Sequence, residues 1–314
     1  MSRWSILGSG VSGLCVATLL VEHGEQVEII EHPGYASASW LAGGMLAPYC
    51  EAESAPSEVV RLGQYALAWW RQRVPGVEQH GTLVVAPPRD QRELNVFASK
   101  TSHFQWVTPR DIEEDLGTRF ETGLFFAQEG HLNPRHALTF LSQRLREQGV
   151  PFHQSSPSGR VIDCRGIFAR PQVPQLRAVR GEMLRLHTPE VTFTRPVRLL
   201  HPRFPCYLVP RGDGEFMLGA TMVETDDARG ISTRAAMELL SAAYTLHPAF
   251  AEAEILETAS GLRPAYPTNL PSVHYHHNRF YLNGMYRHGF LLAPSMAEQL
   301  IEQLAKEKSN ADIR

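Results

Sequence analysis

Gly8-Ser9-Gly10-Val11-Ser12-Gly13 is the stretch from which the rest of the chain is read. Trp4, Ile6 and Leu7 lead into it as a short apolar run, and Leu14, Val16, Ala17, Leu19, Leu20 and Val21 lead out at helical spacing. Gly24 ends that helix, and Val27, Ile29 and Ile30 form a second strand that closes on Glu31. Strand, glycine turn, helix and strand in this order are the context a dinucleotide fingerprint requires. Gly8 serves the tight turn, Gly10 lets backbone approach a pyrophosphate, and Gly13 brings helix close to strand. The free N–H groups of Val11 and Ser12 at the helix start, together with the helix dipole, favour a bound phosphate. Glu31, 18 residues after Gly13, is placed to accept from the ribose hydroxyls. FAD and NAD present the same ADP half to such a unit, so these residues alone leave both open.

A chain of 314 residues that is 43% hydrophobic can bury a sizeable core and exceeds one typical domain, so two are expected. With 30 basic and 33 acidic residues mixed along it and a net charge of -3, it has no basic stripe for a nucleic acid. Cys15, Cys50, Cys164 and Cys206 lie far apart, which suggests a reducing compartment, with Cys15 and Cys164 as small core residues. No apolar run approaches a membrane span. Arg3 and the apolar residues after it mimic a signal peptide but already belong to the nucleotide unit, so a cytoplasmic protein is expected. His274, His276 and His277 lack carboxylate partners at ligand spacing, so no metal site is expected.

Beyond Glu31, His32-Pro33-Gly34 is a breaker cluster. The run from Ala36 through Ser39 and Ala42-Gly43-Gly44-Met45-Leu46-Ala47-Pro48 has neither strand nor helix period and suits backbone wrapped around a flat ligand, or an ordinary loop. Spacing predicts one helix from Pro56 to about Arg73, strands at Gly81–Ala86 and Gly123–Ala127, and a helix from Pro134 to Gln148 capped by Asn133. A buried strand at Val161–Gly166 carries Gly166 at its tip. A β-rich region follows, with strands from Gly181, from Val197 and over Tyr207–Arg211, and a hairpin turn at Gly212-Asp213-Gly214. A helix over Thr233–Leu246, a strand at Phe280–Gly284 and a helix from Phe290 to Leu304 complete the pattern, with a charged, frayed tail from Lys306. The fold class expected is α/β: a discontinuous Rossmann-type dinucleotide domain (residues 1–78, 125–178 and 258–314) with an inserted α+β substrate domain (79–124 and 179–257) built on an antiparallel sheet.

The glycine unit, the run from Ala42 to Pro48, Tyr207-Leu208-Val209-Pro210-Arg211, Gly219-Ala220-Thr221-Met222, Gly261-Leu262-Arg263-Pro264 and the stretch from Gly284 to Pro294 occur in order over nearly the whole chain. In this the chain resembles the FAD-dependent glycine oxidase family of thiamine biosynthesis, within the wider D-amino acid oxidase group. The resemblance implies FAD, held without a covalent link since no cysteine follows Cys206. It also implies oxidation of a small amino acid, glycine first, to the imino acid. Hydride would pass from the α-carbon to the flavin, and oxygen would become hydrogen peroxide. A dehydrogenase with another electron acceptor, acting on a D-amino acid or sarcosine, and a non-catalytic FAD-binding subunit are the alternatives. A homo-oligomer is left open.

By the same resemblance Arg263 binds the substrate carboxylate, Tyr207 supplies a partner hydroxyl, and Arg287 lies at the substrate and flavin edge. Met45 and Met222 line the pocket. The cofactor surface comprises Gly8, Gly10, Val11, Ser12, Gly13, Glu31, Ser39, Ala42, Gly43, Gly44, Met45, Leu46 and Gly166, then Gly284, Arg287, His288, Gly289, Phe290 and Leu291. The chemistry agrees: a planar guanidinium grips a carboxylate through two parallel hydrogen bonds and so aims the Cα–H. No side-chain base is needed if the amine binds neutral. Taken singly, Tyr207 also suits a buried tyrosine, and Met45 and Met222 suit core fillers. Between Gln148 and Val161 the chain is shorter than in the family, which bears on how the adenine side of the cofactor is covered.

Overall fold

The computed structural model describes residues 3–31, 37–201 and 206–312, with side chains to 307; the His32-Pro33-Gly34 cluster and Ala36 lie outside the described residues. The opening unit forms as its pattern requires, with strands Arg3–Leu7 and Gln26–Ile30 parallel on either side of helix Val11–Glu22 in the chain. Arg3–Leu7 lies third from one edge of a six-stranded sheet. The strand order is Ser272–His276, Arg279–Asn283, Arg160–Asp163, Arg3–Leu7, Gln26–Ile30, Phe152–His153. All pairings are parallel except that of the edge strand Ser272–His276. Helix Val11–Glu22 packs on the C-terminal helix Gly289–Asp312 and on Pro134–Glu147, around a core that includes Trp4, Ile6, Leu14, Trp70, Leu141 and Leu292. Asn133 caps its helix as expected, its side-chain oxygen accepting from Arg135 N at 3.1 Å.

The second sheet has nine strands and its own core, covered by helix Thr233–Leu246. It is antiparallel except where Val197–Leu199 runs parallel to Thr82–Val85. Its longest pairing joins Arg177–His187 to Glu254–Ala265. That second strand carries Arg263.

Two elements differ from their predicted extents. The helix expected from Pro56 to Arg73 is two helices, Ser57–Gly63 and Ala66–Arg73. Gly63 lies so close to the C-terminal helix that a Cβ there would stand 2.7 Å from Leu291 Cγ, and the chain turns at Gln64-Tyr65. The C-terminal helix continues beyond the predicted Leu304 to Asp312. Leu300 and Leu304 are buried along it, and Arg160 meets Glu307 at 2.9 Å.

The shortened segment before Arg160 is fastened to the sheet by one carboxylate. Glu28, buried on Gln26–Ile30, accepts from Ser5 Oγ at 2.5 Å, Ser158 N at 2.7 Å and Ser158 Oγ at 2.9 Å. Burial alone would push this carboxyl up, but the donors around it outweigh that and hold it at about 2.

Candidate active site

A cavity of about 450 Å³ runs between the glycine turn of the first sheet and the Arg263 strand of the second. This volume lies within the range of roughly 300–1,000 Å³ usual for small-molecule sites. At one end Gly8 has φ +98°, and its N–H donates to Ile30 O at 2.9 Å. A Cβ on Gly13 would fall 2.0 Å from the Gly8 carbonyl oxygen, so helix and turn can meet only with glycine there. The helix start at Gly10 carries no side-chain cap, and its first turn holds no acidic residue. Val11 N donates to Ser39 Oγ at 3.1 Å, which ties the 37–43 segment to the same helix start. A helix N-terminus with no acid in its first turn that opens on a cavity favours an anion there.

At the other end Arg263, Tyr207 and Arg287 all line the cavity. Arg263 lies across Gly181 on the neighbouring strand, where a Cβ would be 2.2 Å from its guanidinium carbon. Its Nη1 donates to Thr221 O at 2.9 Å, and among the described residues no carboxylate pairs with it. The Tyr207 ring edge packs on Gly43, where a Cβ would stand 2.8 Å from Cε2. Burial pushes the Tyr207 phenol up, and the nearby Arg263 charge works against that, so the hydroxyl is protonated at neutral pH. Gly289 and Phe290, the first residues of the C-terminal helix, line the wall between the two ends. Trp70 Nε1 donates to Phe290 O at 2.8 Å and fixes that helix start.

Residues 3–303 match the model of the DAO family, FAD dependent oxidoreductase. The chain belongs to this family. It is 49% identical, over 99% of both chains, to a protein of Rhizobium etli named as the thiamine biosynthesis oxidoreductase ThiO. It is 26% identical to a glycine oxidase of Geobacillus kaustophilus, over 98% of this chain and 93% of that one. In fold it is similar to the crystal structure of a glycine oxidase from Bacillus cereus, with a TM-score of 0.81, 20% identity and coverage of 98% and 96%.

The cofactor of the DAO family is FAD, which decides between the two dinucleotides that the glycine turn left open. The residues present suit it. The helix start at Gly10, with no acid in its first turn, fits the pyrophosphate, and the backbone at Ala42-Gly43 and Gly289 lines the cavity where a flat ring can lie.

Thirteen of the residues singled out from sequence line the cavity of this DAO-family chain: Gly8, Gly10, Val11, Ser12, Ser39, Ala42, Gly43, Gly166, Tyr207, Arg263, Arg287, Gly289 and Phe290. Gly166 opens a short 3-10 helix rather than tipping a strand, and its carbonyl accepts from Asn283 Nδ2 at 2.8 Å. The others lie elsewhere. Gly13, Leu46 and Leu291 are packing residues. Gly44 abuts the Leu132 carbonyl, and the space beside Gly284 is filled by the Tyr266 ring. Glu31 stands 3.6 Å from Arg146 at the edge of the sheet. Met45 packs against the cluster around Phe97 and Phe126, whereas Met222 is partly exposed, its sulfur 3.3 Å from the Tyr286 hydroxyl.

His288 is buried, its Nδ1 3.6 Å from a carboxylate that sequence reasoning missed, Glu51. Burial drives the His288 imidazole down to about 4, so it is neutral at pH 7. Glu51 Oε2 lies 2.8 Å from Arg287 Nη2, and its Oε1 lies 3.8 Å from Arg198. Burial acts to raise the Glu51 carboxyl, but Arg287 and the other cations around it hold it at about 2. Arg287 also donates to Ser54 Oγ at 2.6 Å. The one signal for Glu51 was an acid closing the apolar run that begins at Met45. Three further residues were missed. Arg165 lines the cavity and is held by Asp163. Gly181 reads only as an isolated glycine in a strand. Arg211, half-buried, donates to Gly43 O at 2.7 Å and so holds the loop.

Proposed function

We propose that this DAO-family protein oxidises glycine, or an amino acid of similar size, to the imino acid with formation of hydrogen peroxide, supplying thiazole synthesis for thiamine. The observation that carries this reading is Arg263, a guanidinium on the cavity wall with no carboxylate partner among the described residues, beside the Tyr207 ring. Such a group is an anchor for the carboxylate of an amino acid, gripped through two parallel hydrogen bonds, and it aims the Cα–H in one direction. The names of the Rhizobium etli and Geobacillus kaustophilus relatives support the same chemistry.

FAD, bound without a covalent link, would supply the two-electron acceptor that oxidation of a C–N bond needs, with oxygen as the final acceptor. Gly10, Val11 and Ser12 would hold its pyrophosphate, and Ala42, Gly43, Gly289 and Phe290 its ring. Among the described residues no Asp, Glu, His or Lys lines the cavity, so the substrate amine loses its proton before it is positioned. Tyr207, protonated, can donate a second hydrogen bond to the carboxylate. We also divide the chain as its composition blocks suggest, into a nucleotide part (1–78, 125–178 and 258–314) and a substrate part (79–124 and 179–257). Two separate sheets with separate cores support this division, and strand Glu254–Ala265 spans one of its boundaries.

The purified protein should be yellow, its flavin absorbance should bleach with anaerobic glycine, and it should consume oxygen when air is admitted. Flavin that stays oxidised with glycine, sarcosine and D-alanine would refute the assignment.

A further inference from the structure

Three guanidinium groups line the cavity: Arg165, Arg263 and Arg287. Arg165 is compensated by Asp163, with Nη2 to Oδ2 at 2.5 Å. Arg287 is compensated by Glu51 at 2.8 Å, and Arg198 behind it is shared between Glu51 and Glu53, the latter at 3.4 Å. No Lys, and no acid, faces the cavity among the described residues. The site therefore presents one uncompensated positive charge, on Arg263.

We propose that Glu51 is a specificity-determining positioning residue: by pairing with Arg287 beside Arg263 it restricts the cavity to ligands with a single acidic group. The pair is a hold by charge rather than a closed hydrogen-bonded fork. Glu51 Oε2 meets Arg287 only at Nη2, 2.8 Å away, and Arg287 Nε is buried without a hydrogen-bond partner. Arg287 is tethered at Ser54 and Met222 and keeps that free N–H. Without the Glu51 charge, Arg287 becomes a second free cation on the same wall as Arg263, and a dicarboxylate gains a second anchor. Glu51 itself is not on the cavity wall, so it acts through Arg287 and does not touch the ligand. The inference rests on Arg263 as the carboxylate anchor but not on turnover, because it concerns binding.

The test uses acetate and malonate, a monocarboxylate and a dicarboxylate that the enzyme has no amine to oxidise in. Their dissociation constants are measured on the FAD-loaded protein by flavin absorbance and, independently, by melting temperature. Wild type should bind acetate more tightly than malonate. Glu51→Gln should shift that ratio toward malonate by about tenfold or more, the scale of one charge-assisted hydrogen bond. Glu51→Asp should keep the wild-type ratio, and Glu51→Gln with Arg287→Met should return to it. A folded Glu51→Gln protein with an unchanged ratio overturns the proposal, as does a shifted ratio that survives in the double variant. If Glu51→Gln does not fold, wild type decides, since malonate bound as tightly as acetate overturns it too. Loss of acetate and malonate binding together in Arg263→Ala keeps the anchor, whereas undiminished binding of both removes it and the functional reading with it.

Discussion

Gly181→Ala places a methyl group where the Arg263 guanidinium now lies. The added Cβ would be 2.2 Å from Cζ and Nη2 and 2.4 Å from Nη1, about 1.2 Å short of the 3.4 Å at which contact becomes ordinary. The obstacle is the far end of a long side chain, so the backbone can stay. Gly181 is paired with Gly261 in the register that also pairs Val179 with Arg263, and none of those backbone bonds need move. The guanidinium must slide by about an ångström, which breaks its bond to the Thr221 carbonyl and spoils the parallel geometry that grips a carboxylate. A hydrogen bond to a charged group contributes about 1.5–3 kcal/mol, and every 1.4 kcal/mol is tenfold, so kcat/KM for glycine should fall by about 10- to 100-fold. Most of the loss should appear in KM, with flavin content and melting temperature close to wild type. Oxygen uptake against glycine concentration, at matched flavin occupancy, measures it. A variant within twofold of wild-type kcat/KM would show that the Arg263 position over Gly181 is irrelevant to substrate, and the anchor assignment would fail.

Other expectations follow from the same geometry. Arg211→Ala leaves the buried carbonyl of Gly43 without its donor, at a cost of about 1–3 kcal/mol, and should lower both melting temperature and FAD affinity; Arg211→Lys should recover only part. Gly13→Ala, whose Cβ would meet the Gly8 carbonyl at 2.0 Å, should abolish FAD retention, and a yellow, stable variant would contradict the helix–turn contact. Glu28 has its carboxyl lowered from 4.5 to about 2, so its stabilisation is fully present above about pH 4.5 and is lost as pH falls toward 2. At pH 7 this linkage amounts to about 3 kcal/mol. Urea melts at pH 7 and pH 3 should therefore differ less in Glu28→Gln than in wild type, and an equal difference would refute the role given to Glu28.

Local patterns were legible wherever one backbone rule dominated. Asn133-Pro134 marked a helix start, Gly212-Asp213-Gly214 a hairpin, and Gly8 to Gly13 the nucleotide turn, because each meets a requirement of its own few residues. Extents were less legible, as the break at Gln64-Tyr65 shows: the contact beside it, Gly63 against Leu291, lies far away along the chain.

The sequence alone carried the fold class and the dinucleotide unit, since periodicity and glycine spacing lie within short windows, whereas Arg263 entered only through a resemblance of motifs. Which arginine stays free for a ligand could not be read that way. Arg263 and Arg287 are the same residue type, and only folding brings Glu51, more than two hundred positions earlier, against one and not the other. Gly181 likewise gains its meaning only when two strands pair and a side chain from one crosses the other. Charge balance and close approach are properties of distance in space, and that distance is settled by sheet pairing.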